Sequence, residues 1–302
     1  MKIILLYNPK AGNEEFPLTR ITKSLEKQGA SVLAQNCKED GYEKVLELSY
    51  DLIMVAGGDG TVEKTLLQLH DTKCPIAILP FGNANNIAGS LDLTDYYKNI
   101  VDQYRKKEYR YLSIGEYKTK EGKGWFVEGI GWGIFTALLL RKDRNKKMKG
   151  NEDKKVDFGI KNLIKLENEL PVHSYRIELD KKDYSGEYIW IEIMNTKQLG
   201  PQLELAPTAD HSDDFLDVML IKEDQKKVLK EFLKAQKKSQ IPSPFKTIKA
   251  KKIEISTHLP FHVDDELFEH QTLYEEIPTV KISLAEHQLK ILKNNNSKSN
   301  KS

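Results

Sequence analysis

A change of hydrophobic period divides this 302-residue chain in two. Up to about residue 108, short apolar runs at 3–7, 31–35, 52–56 and 76–79 alternate with stretches of helical spacing. Leu18, Ile21 and Leu25 precede the second run in this way, and Val62, Leu66 and Leu69 follow the third. Runs of that length are buried strands, and the helices between them return the chain, so a doubly wound parallel α/β sheet is expected. From about Tyr109 the period falls to two. Ile189, Ile191 and Ile193 share one face of a strand, with Tyr188, Trp190 and Glu192 on the other. The trios Tyr175, Ile177, Leu179 and Val280, Ile282, Leu284, and the pair Ile253 and Ile255, repeat the pattern. A carboxyl-terminal antiparallel β-sandwich is therefore expected, interrupted by helical pieces around 133–142, 157–169 and 225–236. The expected boundaries are an α/β domain over 1–108, a β-rich domain over 109–279, a strand over 280–293 that returns to the first domain, and a flexible polar tail over 294–302.

Charge and cysteine usage exclude several classes. There are 47 Lys and Arg against 45 Asp and Glu, a net charge of +2, which argues against a polybasic nucleic-acid binder. Cys37 and Cys74 each stand alone, so neither a disulfide framework nor a thiolate zinc site is expected, and a reducing, cytoplasmic compartment fits. The first apolar run is too short for a signal peptide, and no window approaches the roughly 18 apolar residues of a membrane span. A soluble or peripheral protein is expected.

The sharpest chemical signal is Gly57, Gly58, Asp59, Gly60 and Thr61, between the strand LIMVA and the helical stretch TVEKTLLQL. Glycines at such a turn let the backbone approach a ligand, and the helix start offers N–H donors to phosphate. A carboxylate there repels phosphate unless a cation or proton stands between, so Asp59 points to a metal-nucleotide site. Neither common nucleotide fingerprint occurs, since no G-x-x-x-x-G-K-[ST] is present and Glu63 spoils G-x-G-x-x-G. Two further loops leave the same sheet edge, NPKAG at 8–12 and PFGNANN at 80–86, and ligands of open α/β sheets bind beyond that edge.

In this order the three loops resemble the diacylglycerol kinase catalytic domain family of lipid kinases, which includes sphingosine-kinase-like and bacterial members of an NAD-kinase-like superfamily. The family's N-P-x-x-G, G-G-D-G-T and P-x-G-T-x-N-D motifs match these segments. Met194 and Asn195, then Leu205 to Ala209 and Asp213 to Asp217, resemble its A-P-x-A and D-G-x-L-D-V segments, and His262 to Glu266 stands at its D-G-E. The resemblance spans about 2–293. It implies an ATP-dependent kinase acting on a lipid hydroxyl, diacylglycerol or a related lipid, with ATP and Mg²⁺ in the cleft between a nucleotide-binding domain over 1–108 and a lipid-substrate domain over 109–279. It implies nucleotide contacts at Asn8, Pro9, Gly12, Gly57, Gly58, Gly60, Thr61, Gly82, Asn83 and Asn85. Asp264 would be the general base, with Asp59 and Glu266 as further catalytic carboxylates. Asp213, Asp214 and Asp217 would hold a structural magnesium ion. If Asp264 and Glu266 lie on one strand, they project to the same face about 7 Å apart.

Departures sit within the motifs. Asn83 and Asn86 replace a Thr and an Asp, Glu63-Lys64 replaces Asn-Glu, and Asp265 and Asp214 stand where the family has glycines. They leave two alternatives in view: a kinase for a long-chain base or a glycerophospholipid head group, and a lipid- or nucleotide-binding member with impaired turnover.

Transient peripheral membrane contact is expected, with no nucleic acid as partner and a homodimer left open. Residues 141–155 carry eight basic against three acidic residues, and 226–238 place six lysines around Val228, Leu229, Phe232 and Leu233. Cationic and apolar faces together suit an interfacial helix, or else a core-facing helix with a solvated lysine face. His258 and His262 are read as strand residues because Pro260 breaks the helix a zinc pair would need. Gly129, Gly131 and Gly133 are read as a turn with a steric role, and Trp125, Trp132 and Trp190 as core or pocket wall.

Overall fold

The computed structural model describes all residues except 13–15, 83, 96, 145–151, 170, 237–240, 270–275 and 295–302. It forms two compact units, Met1–Leu112 with His287–Ser302, and Ser113–Glu286.

In the first unit β1 (Lys2–Tyr7), α1 (Leu18–Lys27), β2 (Ser31–Asn36), β3 (Leu52–Gly57), α2 (Asp59–Gln68), β4 (Ile76–Pro80), α3 (Asn86–Ser90), α4 (Ile100–Lys106) and β5 (Tyr109–Leu112) follow in order. The sheet runs β2-β1-β3-β4, all parallel, and continues through the terminal strand Leu289–Leu292 to β5. Ile3 to Leu6 and Met54 to Ala56 are fully buried, because helices cover the sheet with Ile21, Leu25, Val62 and Leu66. That two-sided burial is why these strands read as unbroken apolar runs. Asn294 pins the terminal strand: its Nδ2 donates to the Ile78 carbonyl at 2.7 Å, and its Oδ1 accepts from Thr94 N at 3.1 Å.

The second unit contains β6 (Gly115–Lys118), β7 (Lys123–Phe126), β8 (Gly129–Gly133), α5 (Ile134–Arg144), α6 (Glu152–Glu169), β9 (His173–Leu179), β10 (Lys182–Asp183), β11 (Gly186–Tyr188), β12 (Trp190–Met194), β13 (Gln198–Leu199), β14 (Leu203–Glu204), β15 (Leu216–Ile221), α7 (Lys226–Gln236), β16 (Thr247–Ala250), β17 (Ile253–Ser256), β18 (Phe261–Val263), β19 (Glu266–Phe268) and β20 (Thr279–Leu284). One sheet is ordered β10-β9-β17-β20-β6-β7, with β11 added on β9; the other is β16-β15-β12-β8-β18-β19. Both are antiparallel. Ile177, Leu179, Ile253, Ile255 and Ile282 meet Ile130, Trp132, Ile191, Ile193 and Val218 in the core they share.

Two expectations are corrected here. The return to the first unit does not span 280–293: residues 279–284 are β20, paired with β17 and β6, and only Leu289–Leu292 joins the first sheet. Residues 188–193 are not one half-exposed strand. The chain changes sheets at Ile189, and β12 is buried on both faces, with Trp190 and Met194 packed beneath α5, α6 and α7. A third, helical layer covers what the alternation alone leaves to solvent.

Candidate active site

Parallel register brings three loops of the first unit together. Tyr7 pairs with Ala56 and Gly57 with Pro80, so the loops after β1, β3 and β4 leave one edge together. They are then sewn to each other. Asn8 N donates to the Ala56 carbonyl at 3.0 Å, Asn8 Nδ2 donates to Thr61 Oγ1 at 3.1 Å, and Phe81 N donates to the Gly57 carbonyl at 2.9 Å. Gly58 and Gly82 meet backbone to backbone: a Cβ on Gly82 would lie 2.5 Å from Gly58 Cα and 2.8 Å from Asn85 Oδ1. Only glycine permits that approach. Asn85, with φ of 51°, folds its amide back onto Gly82, accepting from its N at 3.0 Å and donating to its carbonyl at 2.6 Å.

Gly58 caps α2, and Asp59 and Gly60 begin it, so the N–H groups of the helix start face the loop cluster. Gly60 is exposed, with open space where a side chain would stand. Asp59 Oδ1 accepts from Ile87 N at 3.3 Å, tying α2 to α3. Pro9 is exposed in the first loop, and Gly12, at φ of +81°, lies against the Phe81 carbonyl. Of the nucleotide-contact residues expected from the sequence, Asn83 lies outside the described residues, and the others belong to this one loop cluster.

In the second unit Asp264 is buried, with φ of 50°. Its Oδ1 accepts from Glu128 N at 2.7 Å and Gly129 N at 3.0 Å, its Oδ2 from Val127 N at 2.9 Å, and its own N donates to the Gly129 carbonyl at 2.7 Å. Burial pushes its carboxyl up to about 6, against the pull of those N–H donors and with help from the charge of Asp265. The placement of Asp264 and Glu266 on one strand face is corrected. Val263 pairs with Glu266, so Asp264 and Asp265 are the two-residue turn of a hairpin and Glu266 begins the returning strand, exposed. Tyr117, raised first by burial and then by the charges of Glu266 and Asp264, lies in the same neighbourhood. It lines a recess of about 230 Å³ with Phe261, Phe268 and Lys123.

Behind the turn lies a polar group that sequence reasoning missed. His262 Nε2 meets Glu192 Oε1 at 3.0 Å, its Nδ1 meets Thr136 Oγ1 at 3.0 Å, and Trp190 Nε1 donates to Glu192 Oε2 at 2.9 Å. Glu192 and His262 are both 0% exposed. The signal was the glycine spacing on β8. A Cβ on Gly131 would stand 2.6 Å from both Glu192 carboxylate oxygens, so Gly131 and its neighbours are strand residues making room for a buried side chain, not the expected turn.

The acidic triplet does not converge on a cation position. Lys249 Nζ lies 2.5 Å from Asp213 Oδ2 and 3.6 Å from Asp217 Oδ2, while Lys251 Nζ takes Asp214 Oδ2 at 3.2 Å. Among the described residues no group of three or more His, Cys, Asp or Glu side chains could hold a metal ion. Two lysines, on and just beyond β16, instead hold the three expected magnesium ligands in ion pairs. The segment is nonetheless tied to Asp264 by continuous hydrogen bonds. Ser113 N donates to the His211 carbonyl at 2.8 Å, and Asn195 Nδ2 donates to the carbonyls of Ser113 and Val127, each at 2.8 Å.

Residues 2–117 match the diacylglycerol kinase catalytic domain, and residues 142–280 match the YegS C-terminal NAD kinase beta sandwich-like domain. The chain thus carries a match to a diacylglycerol kinase catalytic domain followed by a match to a sandwich-like domain of the YegS type. A diacylglycerol kinase of Bacillus subtilis is 27% identical over 230 residues, covering 72% of this chain and 73% of that protein. One from Staphylococcus carnosus is 22% identical over 275 residues, 87% of each chain. A crystal structure described as a diacylglycerol kinase from Bacillus anthracis superposes with a TM-score of 0.71 over 97% of both chains at 20% identity, which supports the fold. The two Gly-to-Asp departures carry no left-handed strain here, because neither Asp214 nor Asp265 has positive φ. The left-handed residue of the turn is Asp264, and Asp tolerates that region better than most residues.

Proposed function

We propose that this lipid kinase transfers the terminal phosphoryl group of ATP, carried as its Mg²⁺ complex, to a hydroxyl of diacylglycerol or a closely related lipid. The observation that carries the proposal is the sewn loop cluster, which presents the glycine-lined start of α2 as a ready site for phosphate. Gly58, Gly60 and Thr61 hold the phosphates from the helix start, while Asn8, Pro9, Gly12, Gly57, Gly82 and Asn85 shape the loops. Asp59 is the carboxylate that would hold Mg²⁺, which would neutralise charge on the phosphates. Asp264 takes the proton of the acceptor hydroxyl, with Glu266 as a second carboxylate nearby in sequence. Tyr117, Phe261 and Phe268 offer an aromatic surface to the apolar part of the acceptor. Radiolabelled ATP with a panel of lipids in mixed micelles tests this. Transfer to diacylglycerol is expected to exceed transfer to a long-chain base or a phospholipid head group, and nucleotide binding without transfer to any acceptor would overturn it.

The enzyme acts, on this reading, from the cytoplasmic side by peripheral contact. No helix among the described residues is long and apolar enough to cross a membrane. The apolar stripe of α7 is not the main contact, because Leu229, Phe232 and Leu233 are buried in the core beside Phe245 and of the four only Val228 is exposed. Exposed Lys227 and Lys234 remain on its outer face. Of the basic residues expected to help, Lys146, Lys147, Lys149, Lys237 and Lys238 lie outside the described residues. With three of its four apolar residues buried, attraction is mainly electrostatic. Flotation with anionic liposomes is expected at low salt and lost at high salt, whereas salt-insensitive flotation, or none, would contradict it.

A further inference from the structure

We propose that Lys249 is a built-in cation, whose ammonium replaces a divalent metal in holding the acidic segment 210–217 together. Asp217 and Lys249 are directly opposed across β15 and β16, so both side chains leave the same face of the sheet. Asp217 is 1% exposed, and its Oδ1 accepts from Thr247 Oγ1 at 2.6 Å. Asp213 Oδ1 accepts from Phe215 N at 2.9 Å. The two remaining oxygens, Asp213 Oδ2 and Asp217 Oδ2, face the one ammonium at 2.5 and 3.6 Å. Asp210, whose Oδ1 accepts from Ser212 N and Oγ, adds its charge from the loop. Burial lowers the ammonium's pKa, yet the Asp213 hydrogen bond and the charges of Asp217, Asp213 and Asp210 outweigh it and raise it.

A divalent cation does not fit the same space. Magnesium demands about six oxygens in near-octahedral array at roughly 2.0–2.1 Å. Here two carboxylate oxygens are already committed to N–H and O–H donors, and a positive charge fills the gap between the other two. The third acid is withdrawn, since Asp214 pairs with Lys251, which also lies 4.7 Å over the Phe215 ring. Lysine at 249 therefore makes this segment independent of metal supply. The clamp also braces Ser113, whose Oγ donates to the Asp213 carbonyl at 3.4 Å.

Thermal unfolding of the full chain without nucleotide tests the assignment. The unaltered protein should melt at the same temperature in EDTA and in millimolar Mg²⁺ or Ca²⁺. Lys249→Met should melt roughly 5 °C lower in EDTA, and added Mg²⁺ or Ca²⁺ should restore part of that loss because the vacated carboxylates then accept a cation. Lys249→Arg keeps the charge and should stay indifferent to metal, which preserves the test if Lys249→Met does not fold. A rise in melting temperature of the unaltered protein with Mg²⁺ that disappears in Asp217→Asn would overturn the assignment. So would a Lys249→Met variant as stable in EDTA as its parent.

Discussion

Asp264→Asn is expected to lower phosphoryl transfer by about 10²–10⁴-fold, the usual contribution of a positioned general base, while nucleotide binding persists. Asparagine has the size of aspartate, and its carbonyl can still accept from Glu128 N and Gly129 N. Its amide nitrogen then faces Val127 N, donor against donor, so a stability loss of about 1–3 kcal/mol accompanies the substitution. Melting curves and nucleotide affinity measured on the same sample separate the two effects. The pH dependence gives a second signature. The folded carboxyl titrates near 6 and the unfolded one near 3.8, so between these values the folded state binds more protons. Stability therefore falls as pH rises through that window, and the slope should vanish in Asp264→Asn. Activity moves the opposite way, because only the ionised carboxylate accepts a proton, and kcat/KM should climb with pH to a plateau above about 6. A variant that keeps half the parental kcat/KM would remove Asp264 from the reaction.

Glu192→Ala is expected to destabilise the second unit by about 3–5 kcal/mol, the sum of a buried cavity and two buried groups, His262 Nε2 and Trp190 Nε1, left without partners. For a unit of this size that is a fall of roughly 10 °C in Tm. Glu192→Gln should cost less, since it retains one acceptor oxygen and fills the space beside Gly131. The double replacement Glu192→Met with His262→Leu should recover part of the loss, because the larger cost lies in stranding one polar partner, not in lacking the pair. Chemical denaturation of the three variants measures these differences, and a Glu192→Ala unfolding free energy within about 1 kcal/mol of the parent would deny the pair its structural role. The consequence extends to the turn: His262 is two residues from Asp264, and β18 pairs with β8 through His262 and Gly131.

Much of the site could be read in advance where chemistry is local. The three loop motifs announce themselves because strand-end glycines and short polar residues have few other uses together. The motif points to Asp264 but not to its setting, because a two-residue hairpin turn and an extended strand give the same short spacing. Lys249 was invisible as a partner of Asp213 and Asp217. Nothing along the chain marks a lysine more than thirty residues away as an ion-pair partner until β15 and β16 are in register. The Glu192–His262 pair was hidden for the converse reason. A glutamate in an alternating strand reads as solvent-facing unless a helical layer is known to cover that face, and α5, α6 and α7 supply that layer.

Taken alone, the sequence determined the α/β-then-β order of the elements and the three glycine-bearing loops at one sheet edge, since period, length and glycine placement act over a few neighbouring residues. The folded structure alone decided which distant charges neutralise one another: Lys249 with the acidic segment, Glu192 with His262, and the Asp264 carboxylate with the backbone N–H groups of 127–129. Those choices rest on register between strands far apart in the chain and on which faces are sealed from water, and both are set by packing.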